Sequence, residues 1–230
     1  MKKFTLVLLP AILFCYSLKA QWSLGLRVGY AGSSLHTETV GNKTQGDGRL
    51  DSYQMGLMLD VPLGNNMYIQ STLSYITKGG QLEQLSAKPS GVYLPEANEV
   101  KLRYLELPVL FVYKVPLGFG KLTVGAGPYA GYGLDGKYNL AIRYNGSVVQ
   151  SSTQDISFSG GRSGIMSTDL LVKRWDAGAY FQLGLELNKL VTLHANYSYG
   201  LVDIDAIKGN VLKNRTLGIT LGVLLSREDY

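Results

Sequence analysis

His194, Asn196 and Ser198 alternate along one short stretch, and Glu186 stands eight residues before the first of them. A base, a nucleophile and an orienting carboxylate are the ingredients of acyl-transfer chemistry. If the stretch is a strand, the three share one face, and a turn at Asn188-Lys189 folds Glu186 back beside them. They can react only if that face meets a substrate. The familiar catalytic signatures are missing: no GxSxG, HExxH, phosphate loop or dinucleotide fingerprint occurs. GAGPYAGYG, residues 125–133, has a period of two and opens no helix. His36 has no second histidine near it, and Cys15 is the only cysteine. The expectation is therefore no catalytic, cofactor-binding or metal-ligating residue, and the question becomes what His194 faces.

The elements that carry these residues are strands. From Trp175 to Leu201 apolar residues occupy every second position, with one break at Asn188-Lys189. Period two without helical periodicity is a strand signal. Eight such runs follow one another: about 22–31, 51–62, 66–78, 100–115, 121–134, 174–188, 190–202 and 214–226. Before them stands MKKFTLVLLPAILFCYSLKA, with a basic start, an apolar middle and Ala20 at a plausible cleavage point. It reads as a signal peptide, residues 1–20, ahead of one domain over 21–230. It contains Lys2, Lys3 and Lys19 and no acid, so removing it takes the net charge from +5 to +2. The basic balance belongs to the leader, and nothing resembles a nucleic-acid patch.

The connections alternate in length. Leu63-Gly64-Asn65, 116–120 and Asn188-Lys189 are short, while 32–50, 79–99, 135–173 and 203–213 are long and polar. Strict alternation around an even number of strands is the pattern of an outer-membrane barrel, and it places both termini in the periplasm. Twelve glycines, among them Gly29, Gly131, Gly184 and Gly218, share parity with the polar residues of their strands. In a tube of eight strands the bore only just holds side chains, so large inward residues must alternate with absent ones. Polar residues and glycine therefore face the axis, and apolar residues face lipid.

The inward set includes Arg27, Asp60, Glu106, Lys114, Asp176, Glu186 and His194. A narrow bore must pair its charges, so an ion-pair network with Arg27 as a main cation and a structural role is expected. Trp22, Tyr30, Tyr75, Tyr113, Tyr132, Trp175, Tyr197 and Tyr199 fall near run ends, as an aromatic girdle requires. One run fits poorly. Both faces of 104–114 are apolar around Leu110, and Pro108 removes a ladder donor. Pro128 sits at a similar level in the facing run, and a paired irregularity or a bulge that flips the local face is the expectation there.

YLELPVLFVYK (104–114) followed by GKLTVGAGPYAGYGLDGK (120–137) resembles the small outer-membrane β-barrel proteins of Bacteroidota labelled PorT-like. The resemblance implies an eight-stranded barrel in the outer membrane. It says almost nothing of function, and the secretion role of the family's namesake is not carried over. The chain departs from the common barrel ending, because Tyr230 falls on the inward parity.

The fold expected is thus all-β: an eight-stranded antiparallel up-and-down transmembrane β-barrel, monomeric, in outer-membrane lipid. The function expected is non-catalytic: a structural or surface-binding protein, or an accessory subunit of an envelope complex. Recognition would sit on loops 79–99 and 135–173, and within the second of these 138–144 and 165–172 are expected to extend the strands beyond the membrane as a hairpin. Two alternatives remain at this stage. One is a lipid-modifying enzyme built on His194, Ser198 and Glu186. The other is a soluble lipocalin-like carrier, which would turn its apolar face inward.

Overall fold

The computed structural model describes residues 22–39, 48–81, 94–144, 147–156, 158, 172–187, 190–205 and 210–226. The strands are β1 (Ser23–Thr39), β2 (Leu50–Gly64), β3 (Met67–Gln81), β4 (Leu94–Leu117), β5 (Gly120–Tyr144), β6 (Ser147–Asp155), β7 (Trp175–Leu187), β8 (Val191–Gly200) and β9 (Asn210–Ser226). All pairings between them are antiparallel. The order β4-β3-β2-β1-β9-β8-β7-β5 closes where β5 pairs with β4, giving the eight-stranded barrel. β6 stands apart and pairs with 137–144 of β5. The expected leader, the Asn188-Lys189 turn, residues 165–171 and Tyr230 lie outside the described residues.

The short connections gather at one end. At 65–66 the chain turns on Asn65 and Asn66, with φ of 51° and 63°. Two successive left-handed residues are what a two-residue hairpin turn of matching twist requires. The long connections gather at the other, loop-bearing end. Toward it the strands run well past the expected limits: 32–39, 79–81, 94–99 and 135–137 were expected as loop and are strand, while 138–144 extends β5 as expected and takes 147–155 as its partner.

The faces follow the parity expected along the band. Val28, Leu183 and Leu221 point outward and are 62%, 54% and 56% exposed, while His194 and Asp176 point inward and are fully buried. An apolar exterior around a polar bore is the reverse of a lipocalin. The glycines make room for inward side chains. A Cβ on Gly218 would strike Gln54 and Asn196, and one on Gly184 would strike His194.

The expected irregularity around Pro108 is a gap in the ladder, not a bulge, and the face does not flip. The ladder omits pairs between Ser71↔Val109 and Ser74↔Glu106, and between Pro108↔Tyr129 and Phe111↔Ala126, yet the register on either side is unchanged. Pro108, Leu110, Val112 and Lys114 all stay inward. The apolar inward residues form a cluster of Tyr68, Leu110, Val112, Tyr129 and Tyr180 that fills one side of the bore. The register shifts of this pair fall at Ala97/Glu99 and Arg103/Tyr104. At the second shift Leu134 and Asp135 both point outward, so the parity of β5 changes there.

Beyond the band the pattern inverts. Lys101, Asp135 and Lys137 are exposed, while Leu35, Val100, Leu102, Tyr138 and Ile204 are buried in an apolar cluster that closes the bore toward the loop-bearing end. Leu221→Arg, at mid-band, should cost about 2–4 kcal/mol of folded stability in vesicles. Lys137→Met, on the extension, should change it by less than about 0.5 kcal/mol. Urea titration of the folded, heat-modifiable species checks both.

The β8–β9 connection is pinned by Asp203. Its carboxylate accepts the backbone N–H of Leu212 (2.9 Å) and of Asp205 (3.0 Å), and Lys173 Nζ at 3.1 Å. Partial burial pushes the Asp203 carboxyl up, but these donors outweigh it and hold it below the usual carboxylate range. A depressed carboxyl stabilises fully above its unfolded value, and the effect is lost as pH falls through the folded one. Protection of the Leu212 amide against hydrogen exchange, corrected for intrinsic rate, should therefore fall on acidification below that range, and Asp203→Asn should remove the dependence.

Candidate functional site: the sealed bore and its polar network

The inward residues of β1, β2, β3, β4, β7 and β8 meet along the axis. Lys114 Nζ donates to Asp60 Oδ2 at 2.7 Å and to Glu186 Oε1 at 2.5 Å, and lies 4.1 Å from the centre of the Tyr68 ring. Gln70 Nε2 donates to Asp60 Oδ1 at 2.7 Å. Gln182 Nε2 donates to Gln70 Oε1 at 2.6 Å. Arg27 completes the chain: Nη1 donates to Gln182 Oε1 at 2.8 Å, and Nη2 to Gln70 Oε1 at 2.9 Å. Nη2 also lies 3.3 Å from His194 Nε2. Two cations and two carboxylates are thus joined through two amides, with no formal charge left over.

A second group lies nearer the loop-bearing end. Lys78 Nζ pairs with Glu106 and, at 3.1 Å, with Asp176 Oδ2. Asp176 also accepts Tyr129 Oη at 3.2 Å and Asn214 Nδ2 at 3.0 Å. The Lys78 ammonium sits 4.4 Å from the Tyr129 ring centre. Two carboxylates share one lysine here, and a phenol and an amide supply the remaining donors. All seven charged members of the two groups are buried. Removing ions from water costs several kcal/mol each unless partners replace it; every ion here has a partner, although Arg27 Nε has none and a single lysine faces Glu106 and Asp176.

The structure divides the sequence-derived set in two. Asp60 and Glu186 meet through Lys114, Glu106 and Asp176 meet through Lys78, and His194 meets Arg27. Arg27 contributes differently from expectation. Its bonds go to amides, and the lysines hold the carboxylates. Lys78 was missed because it closed a predicted run, although it shares parity with Gln70 and Ser74. Gln70, Gln182 and Asn214 carry no charge to draw attention, yet they link the charges.

The arrangement offers little to a substrate. Ser198 Oγ and His194 Nδ1 have no hydrogen-bond partner among the described residues, so they do not form a nucleophile–base pair. Beside Arg27, Thr72, Ser74 and Thr220 a void of about 10 Å³ remains, room for about one water molecule. The apolar cluster of Leu35, Val100, Leu102 and Ile204 covers the bore above.

Removing one member should cost far more than removing the set. Lys114→Met strands Asp60 and Glu186 and should destabilise the barrel by about 3–5 kcal/mol. Combining it with Arg27→Gln, Asp60→Asn and Glu186→Gln, which removes all four charges of the group, should recover most of that loss. Unfolding midpoints in urea, read by gel migration, compare the two.

The fold is similar to Ail of Yersinia pestis (15% identity, TM-score 0.40, covering 88% of this chain and 98% of that one). It is also similar to Neisserial surface protein A (10%, 0.41, 90% and 99%). OprG from Pseudomonas aeruginosa is a third (13%, 0.36, 89% and 96%). No curated protein matches the chain. Residues 16–206 match the family described as outer membrane protein beta-barrel domain. With most of its length inside that match and a closed barrel of eight strands, this chain belongs to the outer membrane protein beta-barrel domain family.

Proposed function

We propose that this protein is a non-catalytic, monomeric outer-membrane barrel that presents a rigid recognition platform on the cell surface, either alone or as an accessory subunit of an envelope complex. Both termini lie in the periplasm after cleavage near Ala20. The observation that carries the reading is the extension of β4 and β5 past the apolar band together with β6, which makes a three-stranded sheet outside the barrel. Gln150 to Asp155 of that sheet are exposed. Ordering a strand costs conformational freedom, and a barrel needing only to span lipid has no use for this sheet. The network of Arg27, Asp60, Glu106, Asp176, Glu186 and His194 serves the platform as a structural plug. It fixes the strands that carry the sheet and fills the path a solute would take. The PorT-like likeness of 104–137 agrees with an envelope role without choosing a partner.

Recognition then lies on strand rather than on loop, within the 79–99 and 135–173 regions. Deleting Ser147–Asp155 while keeping Ile156 and Phe158, which pack into the apolar cluster, should leave a heat-modifiable barrel and abolish co-purification of a stoichiometric partner from gently solubilised outer membranes. Val149→Cys should react with an impermeant maleimide on intact cells. A barrel that fails to insert without β6, or labelling only after lysis, contradicts the reading.

A further inference from the structure

The rim of the apolar band repeats one motif four times. Each long connection is entered from a strand carrying an outward tyrosine and left by a segment carrying an arginine, and the two side chains meet. In the first, the Arg49 guanidinium lies 5.4 Å from the Tyr30 ring centre. In the second, Arg103 of β4 reaches Tyr75 of β3. In the third, Arg174, just before β7, donates to Tyr132 Oη of β5 at 2.9 Å. In the fourth, Arg215 of β9 stands 5.1 Å from the ring centre of Tyr199 of β8. The tyrosines mark where lipid chains end. The arginines are therefore held, one per hairpin, at the height of the headgroups.

The four are not equivalent. Arg49 pairs with Asp51 at 3.0 Å, and Arg103 pairs with Asp135. Among the described residues Arg174 and Arg215 meet no carboxylate; the Arg215 Nε is buried without a partner, so only the Nη groups of that side chain can reach a ligand. These two flank one sector. Between them runs 201–204, bonded on one side to Ala177 and on the other to Leu212. Leu201 in that segment is 60% exposed and Val202 39%. Two cations bracketing an exposed apolar pair suit a molecule with both phosphate and chains. A free phosphate would leave the apolar pair uncovered. Arginine suits the role because its planar fork bonds phosphate oxygens while its face rests on an aromatic ring.

We infer that the Arg174–Arg215 sector of this collar is a binding site for a phosphate-bearing lipid headgroup of the leaflet at the loop-bearing end. The site rests on the reading of that end as the cell surface only for which leaflet supplies the lipid. The guanidinium groups take the phosphate, and Leu201 with Val202 takes the chains next to it.

The full-length barrel in phosphate-free maltoside detergent micelles, titrated with a bisphosphorylated glycolipid, tests this. Each basic residue near an anionic lipid surface contributes roughly fivefold in affinity, so R174Q/R215Q should bind roughly 25-fold more weakly. R174K/R215K should retain most of the binding. R49Q/R103Q should lose less than R174Q/R215Q, because aspartates already face those arginines. Heat-modifiable migration in every variant shows that the barrel is intact. Equal binding by wild type and R174Q/R215Q overturns the site, as does equal binding of the same glycolipid stripped of phosphate. Displacement of the lipid by inorganic phosphate at matched concentration also overturns it, because the ligand would then be a soluble anion. Phosphate-dependent lipid binding combined with periplasmic labelling of Val149→Cys keeps the collar and discards the orientation alone.

Discussion

Backbone amides and carbonyls inside hydrocarbon have no water to turn to, so a wall of strands there must have no edge. That constraint is met where β4 takes both β3 and β5 as partners and β1 takes both β2 and β9. Much of the molecule follows from it. Eight strands closed in this way leave a bore that side chains can just fill. The bore excludes lipid and nearly all water, so polar residues placed there, because the exterior must be apolar, have chiefly one another as partners. The seven buried charges and the glycines opposite Gln54, Asn196 and His194 are two consequences of one diameter.

The distribution of cations within the bore follows from reach and shape. A lysine ends in a compact charge that can stand between two carboxylates, as Lys114 does between Asp60 and Glu186 and Lys78 between Glu106 and Asp176. Both ammonium groups also rest on tyrosine rings. Arginine presents a broad fork of donors. At Arg27 that fork faces Gln70 and Gln182, which pass the interaction on to Asp60. Amides relaying between unlike charges let the network span the bore without bringing every ion into contact.

Much of this was legible in the sequence because two environments met on each strand. Lipid outside and a packed polar bore inside write a period of two that survives inspection of 175–202 residue by residue. The unreadable parts are places where one of those environments changes. Around Leu110 the bore itself is apolar, since Tyr68, Val112 and Tyr180 fill it there, and the contrast between faces vanishes. Past the band the exterior is water, so β4 turns Lys101 and Arg103 outward and Val100 and Leu102 inward. The same inward face changes from polar to apolar along one strand. A strand recognised by its polar interior therefore ends in the sequence where the filling turns apolar, and 94–99 reads as loop. Lys78 sat at that crossover and was lost with it. The amide relays were hidden for another reason: a glutamine in a bore has the same sequence signature whether it links ions or fills space.

The inversion also bears on what the loop-bearing end can do. An apolar cluster of Ala31, Leu35, Val100, Tyr138 and Ile204 outside the membrane is a small soluble-type core set on top of a transmembrane one. It does for the extension what lipid does for the band, giving the strands a reason to continue where the bilayer stops. The two cores share β4, which carries Glu106 and Lys114 in the bore and Val100, Leu102 and Tyr104 in the cap. Lys78 and Glu106 lie on β3 and β4 directly beneath Tyr104, a member of the outer core, and the ammonium is 5.7 Å from that ring. The junction between the cores is therefore a cation against an aromatic face. One side of that contact faces the paired carboxylates and the other the apolar cap, and this lets a polar filling end and an apolar one begin without an empty layer between them.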